Sequence, residues 1–271
     1  MKCELYRDNF QNFARYDIPK AQLVIADIPY NVGNLAYGSN PQWYVDGDNR
    51  NGASGLAGKS FFPTDDDFHI AEFWAFCNRM LVKEPKEAGK APAMICFCSF
   101  QQMAGMVDLG KKYGFANSYP LVFVKNFSSQ VLKANMRIVG ATEYALVFYR
   151  DKLPKFNGGG RMVFNWFEWA KDGKEIPKIH PTQKPVALLK RLIEVFTDAG
   201  DVVIDPVAGI GSTLRAAYEL NREAYGFEVD KEFHEKAVSE MFANMSVDLI
   251  HGSQKSERQL KAERYIQGGL L

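Results

Sequence analysis

A short apolar run near the start of the chain leads into an acidic residue, an apolar residue, a proline and an aromatic residue, Asp27-Ile28-Pro29-Tyr30. The proline restricts the backbone, so Asp27 and Tyr30 can point into one cleft. If the Asp27 carboxylate and the Ile28 carbonyl each accept one N–H of an exocyclic amine, the nitrogen lone pair becomes available for attack. Tyr30 can stack on the attached base. An ordinary turn that ends a strand uses the same residue types, so this motif alone decides nothing.

A glycine-rich loop late in the chain lies between a predicted strand and a predicted helix. Such a loop lets the backbone approach a ligand, and the helix that follows offers free N–H groups. The loop contains Asp205, Pro206, Val207, Ala208, Gly209, Ile210, Gly211 and Ser212.

Glu228 ends the next predicted strand, at the distance expected for a carboxylate that binds ribose hydroxyls. The pattern therefore indicates a nucleotide site, and a tight turn without a ligand is the alternative. A dinucleotide site is disfavoured because Leu214 stands where that fingerprint has its third glycine. Asp205 would also repel a pyrophosphate, whereas it suits the ammonium of an amino-acid-like ligand.

The elements that must position these motifs alternate between buried strands and amphipathic helices, which predicts a layered α/β fold. The predicted strands span residues 23–26, 93–97, 121–124, 145–148, 202–204 and 224–227. The predicted helices span residues 70–82, 101–113, 182–197 and 212–220, with Thr182 as the cap of the third. Residues 31–64 have no periodicity, which is typical of a functional or mobile loop.

Length and composition narrow the class of protein. The chain has 271 residues, 46% hydrophobic and 24% charged, which excludes a disordered, collagen-like or disulfide-rich chain. The net charge of +1 means that a polyanion must be bound by a local basic patch. With neither a secretory signal nor an apolar run long enough to span a membrane, we expect a cytoplasmic protein.

The four cysteines predict no metal site and no disulfide framework. Cys96 and Cys98 belong to one apolar run, and no second pair follows at the spacing of metal ligands. Cys3 and Cys77 are isolated, so all four are interpreted as buried free thiols in a reducing compartment.

The order of three motifs carries a family resemblance over almost the whole chain. Asp27-Ile28-Pro29-Tyr30 comes first, His180-Pro181-Thr182-Gln183-Lys184-Pro185 follows, and the glycine loop comes last. This order resembles the beta group of S-adenosylmethionine-dependent DNA amino-methyltransferases. Val124-Lys125-Asn126 and Glu143-Tyr144 look like further landmarks of that family. The resemblance implies one catalytic domain over residues 1–271 with a three-layer Rossmann-like fold and a circularly permuted motif order. Its twisted, mostly parallel sheet has seven strands with helices on both faces.

The resemblance also assigns roles to individual residues. Asp27, Ile28, Pro29 and Tyr30 match the catalytic motif, and Glu228 matches the ribose ligand. The residues assigned to S-adenosylmethionine, which leaves as S-adenosylhomocysteine, are Asp8, His180, Thr182, Lys184, Asp205, Pro206, Ala208, Gly209, Gly211, Ser212 and Glu228. His180, Thr182 and Lys184 belong to the segment beside the methionine end, and Asp8 is assigned to the adenine end. No metal is required.

Two residues depart from the family pattern. Ile28 replaces a usual proline, but that position works mainly through its backbone carbonyl. Val207 replaces a usual phenylalanine, which puts packing around the cofactor in question. An aspartate at the first catalytic position is typical of adenine-N6 enzymes, whereas cytosine-N4 enzymes have serine there.

The target is expected to be a base flipped out of double-stranded DNA. Residues 150–178 are basic, aromatic and glycine-rich, and are predicted to form a small target-recognition insertion, with a solvated charged insertion as the alternative. The predicted phosphate contacts are Lys125, Lys133, Arg137, Arg150, Lys152, Lys155 and Arg161. The loop over residues 31–64 is predicted to be mobile and to close over the substrate.

Adenine-N6 methylation of DNA is thus the predicted activity. Cytosine-N4 methylation, an RNA or protein amide methyltransferase and a decayed DNA-binding homologue are the alternatives. Dimerisation and a cognate restriction endonuclease are further partners that the family allows, and the protein is expected to be associated with the nucleoid or encoded by a phage.

Overall fold

The structure is a computed structural model that describes residues 2–29, 68–126, 138, 140–180, 182–243 and 245. It contains eight strands in these ranges: β1 (Cys3–Tyr6), β2 (Leu23–Asp27), β3 (Ala93–Cys98), β4 (Asn117–Lys125), β5 (Thr142–Tyr149), β6 (Trp166–Trp169), β7 (Val202–Asp205) and β8 (Glu223–Phe227). The α-helices are α1 (Ile70–Met80), α2 (Met103–Lys112), α3 (Val186–Phe196), α4 (Ser212–Glu219) and α5 (Lys231–Lys236). Short 3₁₀ turns span Phe10–Arg15 and Phe100–Gln102, and a π turn spans Ala237–Met241.

The strands form one sheet in the order β1-β8-β7-β2-β3-β5-β4-β6. Only β5 runs against its neighbours, pairing antiparallel with β3 and β4, and the other pairs are parallel. The predicted α/β class with a mostly parallel sheet is confirmed. The sheet has eight strands among the described residues instead of the seven that the resemblance implies, because β1 and β6 join its two edges in addition to the six strands predicted from the sequence.

Helices cover both faces of the sheet, since alternate residues of each strand point to opposite sides. Leu23 and Ile25 of β2 belong to the core that contains α3 and α4. Val24 and Ala26 belong to the core that contains α1 and α2. Burial on both faces explains the continuous apolar runs by which the central parallel strands are recognised in the sequence. The four cysteines are buried free thiols, as the sequence indicates.

The start of α3 differs from the sequence prediction. The sequence predicts Thr182 as the cap of this helix, but the helix begins at Val186. Asp172, from a distant loop, accepts the N–H groups of Val186 (2.9 Å) and Ala187 (3.1 Å) and so caps the helix in its place. The first turn of a helix has no internal partners for its N–H groups, and a tertiary contact can satisfy them as well as a local side chain.

The segment of residues 150–178 is partly built into the sheet. Its first residues run along the edge where the parallel strands begin, and Pro154 forms a bridge with Ala91. Trp166–Trp169 then add the edge strand β6 next to β4. The predicted loop over residues 31–64 lies outside the described residues. Among the described helices, none has the length and apolar composition required to cross a membrane.

Candidate active site

The order in which successive strands are added to the sheet reverses between β2 and β7, which makes this a topological switch point. From β7 the chain proceeds to β8 on one side, and from β2 it proceeds to β3 on the other. Ligands of open α/β sheets bind in the crevice beyond the carboxyl ends of the strands at such a point. The two residues that end these strands are Asp27 and Asp205. Both sequence motifs therefore meet at one edge of the sheet, which we call the carboxyl edge.

Four charged side chains form a group on the β2 side of this crevice, which we call the charged quartet: Asp27, Lys125, Glu143 and Lys184. Lys184 Nζ lies 2.6 Å from Asp27 Oδ2 and 3.2 Å from Glu143 Oε2. Lys125 pairs with Glu143 Oε1. Burial alone would raise the pKa of Glu143, but Lys184 and Lys125 together hold it below its ordinary value. Glu143 is therefore a carboxylate, and the quartet contains two positive and two negative side chains.

The turn after Asp27 is fixed from both sides. The Ile28 side chain is buried in the core beneath α1 and α2. The Gln102 amide donates to the Pro29 carbonyl over 2.9 Å, and Gln102 is itself held by a capping box with Ser99. These contacts set the direction in which the chain leaves the crevice. Tyr30 lies outside the described residues, so its stacking role stays a prediction.

The glycine loop turns sharply from β7 into α4 by using two left-handed residues. Gly209 has φ +53° and Gly211 has φ +81°. A Cβ on Gly211 would lie 2.4 Å from Phe242, whereas a Cβ on Gly209 would enter open space. Glycine at 211 thus permits packing within the protein, while glycine at 209 leaves room on the crevice side.

The helix after the loop, α4, packs closely against the sheet because β8 has a glycine at the point of contact. A Cβ on Gly226 of β8 would lie 2.7 Å from Leu214 Cδ1 and 2.9 Å from Ala208 Cβ. Leu214 stands where a dinucleotide fingerprint has its third glycine. In this fold the close contact between helix and strand is provided by Gly226 instead, so the missing glycine does not weaken the packing.

Two buried carboxylates flank the loop. Burial raises the pKa of Asp205 to about 7, although the Thr213 hydroxyl and the Val207 N–H bond to it. Burial likewise raises the pKa of Glu228 to about 7 against hydrogen bonds from the Asp230 and Gly209 N–H groups. No lysine or arginine in the described part of the chain reduces either pKa.

These features fit the cofactor that the sequence predicts. Gly209 offers space for a ligand, and the Ser212 hydroxyl is buried with no hydrogen-bond partner among the described residues. Glu228 follows β8 at the carboxyl edge, where a carboxylate can accept ribose hydroxyls. Pro206 and Ala208 are buried in the loop and shape it without polar side-chain atoms. The space beside Gly209 and the carboxyl groups of Asp205 and Glu228 therefore suit a nucleoside that carries a positive charge.

The remaining residues assigned to the cofactor lie along the same edge. The Asp8 carboxylate accepts hydrogen bonds from the Asn12 amide (2.7 Å) and the Tyr16 hydroxyl (2.8 Å) beside the end of β8. Thr182 Oγ1 lies 2.9 Å from His180 Nδ1. Burial, with a smaller effect of Lys236, lowers the pKa of His180, so its ring is neutral at pH 7. Contact of these three residues with the cofactor stays a prediction.

The structure does not bring three of the predicted phosphate contacts to this edge. Arg150 donates to the Asn78 and Val82 carbonyls, and Lys152 to the Pro85 carbonyl. Lys155 pairs with Asp198 and Asp201, each at 2.7 Å. All three lie at the opposite edge of the sheet, because the antiparallel strand β5 carries the chain away from Asp27. This placement away from the carboxyl edge argues against their assignment to DNA.

The other predicted phosphate contacts differ among themselves. Lys125 belongs to the charged quartet and lies 4.4 Å from the Trp169 ring centroid, with 12% of its side chain exposed. That geometry argues against its assignment as a phosphate ligand. Arg161 is exposed in a turn before β6, which leaves it accessible. Lys133 and Arg137 lie outside the described residues.

Sequence reasoning missed the roles of Glu143 and Gln102. The sequence marks Glu143 only as a family landmark and Gln102 only as a helix residue. The predicted strand pair 121–124 and 145–148 contains a usable signal, because a hairpin brings Lys125 next to Glu143. In the described ranges, no group of three His, Cys, Asp or Glu side chains could hold a metal ion.

Comparison with known proteins identifies the family. Residues 21–239 match the model of a family described as DNA methylase. The chain belongs to this DNA methylase family. It is 30% identical over 252 residues to the DNA adenine methyltransferase YhdJ of Escherichia coli K12, which covers 86% of this chain and 80% of YhdJ. YubD, from the same organism, is 32% identical over 158 residues, and the chain spans only 63% of its length.

Two solved structures share the fold. The complex of M1.HpyAVI with SAM superposes with a TM-score of 0.60 at 21% identity, covering 87% of this chain and 97% of that one. The cytosine-N4-specific PvuII DNA methyltransferase gives the same TM-score at 15% identity, covering 99% and 94%. The predicted family and fold are confirmed. The fold is shared by a protein named for cytosine, so it does not identify the target base.

Proposed function

We propose that this chain transfers a methyl group from S-adenosylmethionine to the N6 amine of adenine in DNA. The observation that carries the proposal is the meeting of two half-sites at one edge of the sheet. A carboxylate suited to an amine, Asp27, ends β2, and a glycine turn with buried carboxylates follows the neighbouring strand β7. An aspartate in the first position and a relative named for adenine both favour adenine as the base.

Asp27 acts on the amine. Its carboxylate accepts an N–H of the base, and the Ile28 carbonyl is proposed to accept the other. These bonds favour a tetrahedral nitrogen, whose lone pair is then less delocalised into the ring. The negative charge of Asp27 also stabilises the positive charge that develops on nitrogen. The surplus amine proton is then released to Asp27 or to water.

The glycine loop and Glu228 hold the cofactor. When bound, S-adenosylmethionine supplies a methyl group on a positive sulfur, and the electron pair of the broken bond stays with sulfur as S-adenosylhomocysteine leaves. Glu228 accepts the ribose hydroxyls, and Gly209 and Ser212 line the space beside them. Asp205 offers a negative charge to the positive end of the cofactor. The protein contributes position and charge, because the donor is already activated.

The target base must leave the duplex to reach this crevice. The near-neutral net charge of +1 requires that phosphate contacts be local. We assign them to Arg161, and keep residues 31–64, Lys133 and Arg137 as candidate contacts. DNA affinity should then decrease steeply with salt, since each phosphate contact releases counterions.

Mass spectrometry of nucleosides from treated DNA tests the proposal. Unmethylated DNA incubated with the protein and S-adenosylmethionine should yield N6-methyladenine. N4-methylcytosine without N6-methyladenine would assign the chain to the cytosine-specific branch. Parallel incubations with RNA and protein check those substrate classes. A protein that does not bind S-adenosylmethionine in calorimetry would be a decayed homologue, which the intact Asp27 and Gly209 oppose.

Partners other than DNA follow from the family. Relatives named type II methyltransferases, such as M.HindIII, suggest a cognate restriction endonuclease, and a homodimer and association with the nucleoid are further proposals. Sedimentation of the protein with and without DNA tests dimerisation. Sequencing that detects methylated bases in DNA from expressing cells would reveal the recognition site that an endonuclease must share.

A further inference from the structure

The charged quartet lies on one face of the sheet for a simple geometric reason. Ile25, Phe123 and Ala145 point into the core beneath α3 and α4. Side chains two positions along a strand point to the same face. Asp27, Lys125 and Glu143 therefore point to that face as well, one step beyond the core at the carboxyl edge.

Lys184 spans the strand that separates Asp27 from Glu143. Residue Phe97 of β3 pairs with Asp27 on one side and with Ala145 on the other. The Lys184 ammonium lies 5.0 Å from the centroid of the Phe97 ring and reaches across it to both carboxylates. Trp169 borders the same ammonium at 5.7 Å. Lys184 is thus held by an aromatic surface below and by carboxylates on two sides.

The quartet is too buried for an ordinary surface ion pair. The exposed fractions of the side chains are 10% for Lys184, 12% for Lys125 and 21% for Glu143, against 37% for Asp27. Burying such charges costs desolvation energy that their attraction often fails to recover, so apolar residues would serve stability equally well. A buried network that ends on the most exposed carboxylate, at the crevice, points to a role in setting the geometry of that carboxylate.

We propose that Glu143 and Lys184 are positioning residues, in which Glu143 holds Lys184 and Lys184 holds the Asp27 carboxylate in the orientation that receives the target amine. Lys184 donates to Oδ2 and so fixes the plane of the Asp27 carboxylate that accepts the amine. This inference rests on the proposed methyl transfer. It differs from the sequence prediction, in which Lys184 contacts the methionine end of the cofactor.

If this is right, the orientation of the Asp27 carboxylate depends on Lys184, whereas cofactor binding does not. A carboxylate rotated about its own bond no longer accepts the amine in the geometry needed for attack, and small misplacements of reacting groups cost about 100-fold in rate. The ammonium also favours the ionised form of Asp27, which is the form that accepts an N–H. The other titratable groups whose pKa values are raised by the charge of Asp27 are Asp205 on β7 and the thiols Cys96 and Cys98 on β3.

The test compares four proteins: the parent, Glu143→Gln, Lys184→Met and Lys155→Gln. Glu143→Gln keeps the shape of the side chain and removes its charge. Lys155 is a matched control, because it is a similarly buried lysine in a carboxylate pair at the opposite edge of the sheet. Thermal melting checks folding. A Lys125→Gln/Glu143→Gln double variant, which keeps the net charge, replaces Glu143→Gln if that variant fails to fold.

Each protein is assayed for the affinity of S-adenosylmethionine by calorimetry and for kcat on unmethylated genomic DNA with a tritium-labelled methyl group. We expect kcat to fall about 100-fold in Glu143→Gln and in Lys184→Met while cofactor affinity stays within about twofold. In Lys184→Met the acid limb of the kcat–pH profile should move to higher pH, because Asp27 loses a positive neighbour. Lys155→Gln should match the parent in both assays.

Two results would overturn the inference. One is an unchanged kcat in Glu143→Gln or in Lys184→Met. The other is a cofactor affinity that falls with Lys184→Met while kcat at saturating cofactor is kept, which would return Lys184 to the cofactor site. Failure of the proposed function has a different signature, since the parent itself would then label no DNA, and the inference would fall with it.

Discussion

The two sides of the crevice treat their carboxylates in opposite ways. On the β2 side, Asp27 and Glu143 are paired with lysines, and the pKa of Glu143 is lowered. On the β7 side, burial raises the pKa values of Asp205 and Glu228 to about 7, with no basic partner among the described residues. Paired carboxylates keep a fixed charge and direction, which suits the orientation of a substrate. Asp205 and Glu228 already accept hydrogen bonds from the protein, and a bound ligand would add the positive partner that the described residues do not supply.

The largest expected effect comes from the substrate side. Asp27→Ala should lower the rate of methyl transfer to DNA by about 1000-fold, because it removes the group that stabilises charge on the amine. Cofactor affinity should stay within about twofold of the parent, since Asp27 belongs to the other half-site. Labelling of DNA with a tritiated methyl group and calorimetry measure the two quantities. Near-normal turnover in this variant would contradict the assignment of the substrate to the β2 side of the crevice and of the cofactor to the β7 side.

A matched glycine pair tests the cofactor side. Gly209→Ala places a Cβ in the space proposed for the ligand, so cofactor affinity should fall about tenfold or more, with about 1 kcal/mol lost from stability because of the positive φ. Gly211→Ala should mainly destabilise the fold, by about 2 kcal/mol or more, because its Cβ would meet Phe242. Calorimetry and chemical denaturation separate the two effects. Equal losses of affinity and of stability in both variants would refute the assignment.

The pH dependence of cofactor binding should reveal the raised pKa values. Bound cofactor favours the ionised forms of Asp205 and Glu228, so binding releases protons and affinity should rise about tenfold for each of the two groups between about pH 6 and pH 8. Calorimetry in buffers of different ionisation enthalpy counts the protons. Glu228→Gln should flatten the rise. An affinity that is constant or falls over this range would contradict unpaired carboxylates on the β7 side.

The raised pKa of Asp205 also predicts how the stability of the cofactor-free protein changes with pH. A carboxyl whose pKa is raised by folding contributes stability that is complete below its unfolded pKa of 3.8 and is lost as pH rises through about 7. Asp205→Asn resembles the protonated form. The parent should therefore lose stability relative to this variant between about pH 4 and pH 7. Chemical denaturation across that range measures the difference in the free energy of unfolding. A parent whose stability rises with pH relative to the variant would contradict the prediction.

The smallest effects are expected at the far edge of the sheet. Arg150→Gln and Lys155→Gln should change DNA affinity and methyl transfer by less than about twofold, because both residues are bonded to the protein away from the crevice. Arg161→Gln is the comparison, as an exposed basic residue before β6. Titration of labelled duplex DNA at several salt concentrations measures affinity and the number of phosphate contacts. A large loss in Arg150→Gln alone would restore its assignment to DNA.

The motifs and strands of the crevice could be predicted from the sequence because their signals are local. Asp27 and Asp205 each end a continuous apolar run, and parallel strands bring such ends to one edge. The start of α3 could not be predicted, since Asp172 caps it from a distant loop. The contact of Lys184 with Asp27 joins residues 157 positions apart, and no local pattern encodes it.

Charge alone is a poor guide to the position of three basic residues after β5, Arg150, Lys152 and Lys155. Their positive charge suggests DNA, but charge does not indicate which edge of a sheet a residue occupies. The direction of β5 decides that, and the predicted strand pair already implies it. Because the chain reverses its direction through that hairpin, the residues that follow β5 must lie at the edge opposite Asp27.

A structure of the protein with S-adenosylhomocysteine would test the division of the crevice most directly. We predict that the ribose hydroxyls bind Glu228, that the ligand lies beside the Gly209 backbone, and that Lys184 stays bonded to Asp27 and Glu143. A ligand carboxylate bound to Lys184, with Asp27 displaced from that ammonium, would contradict the account.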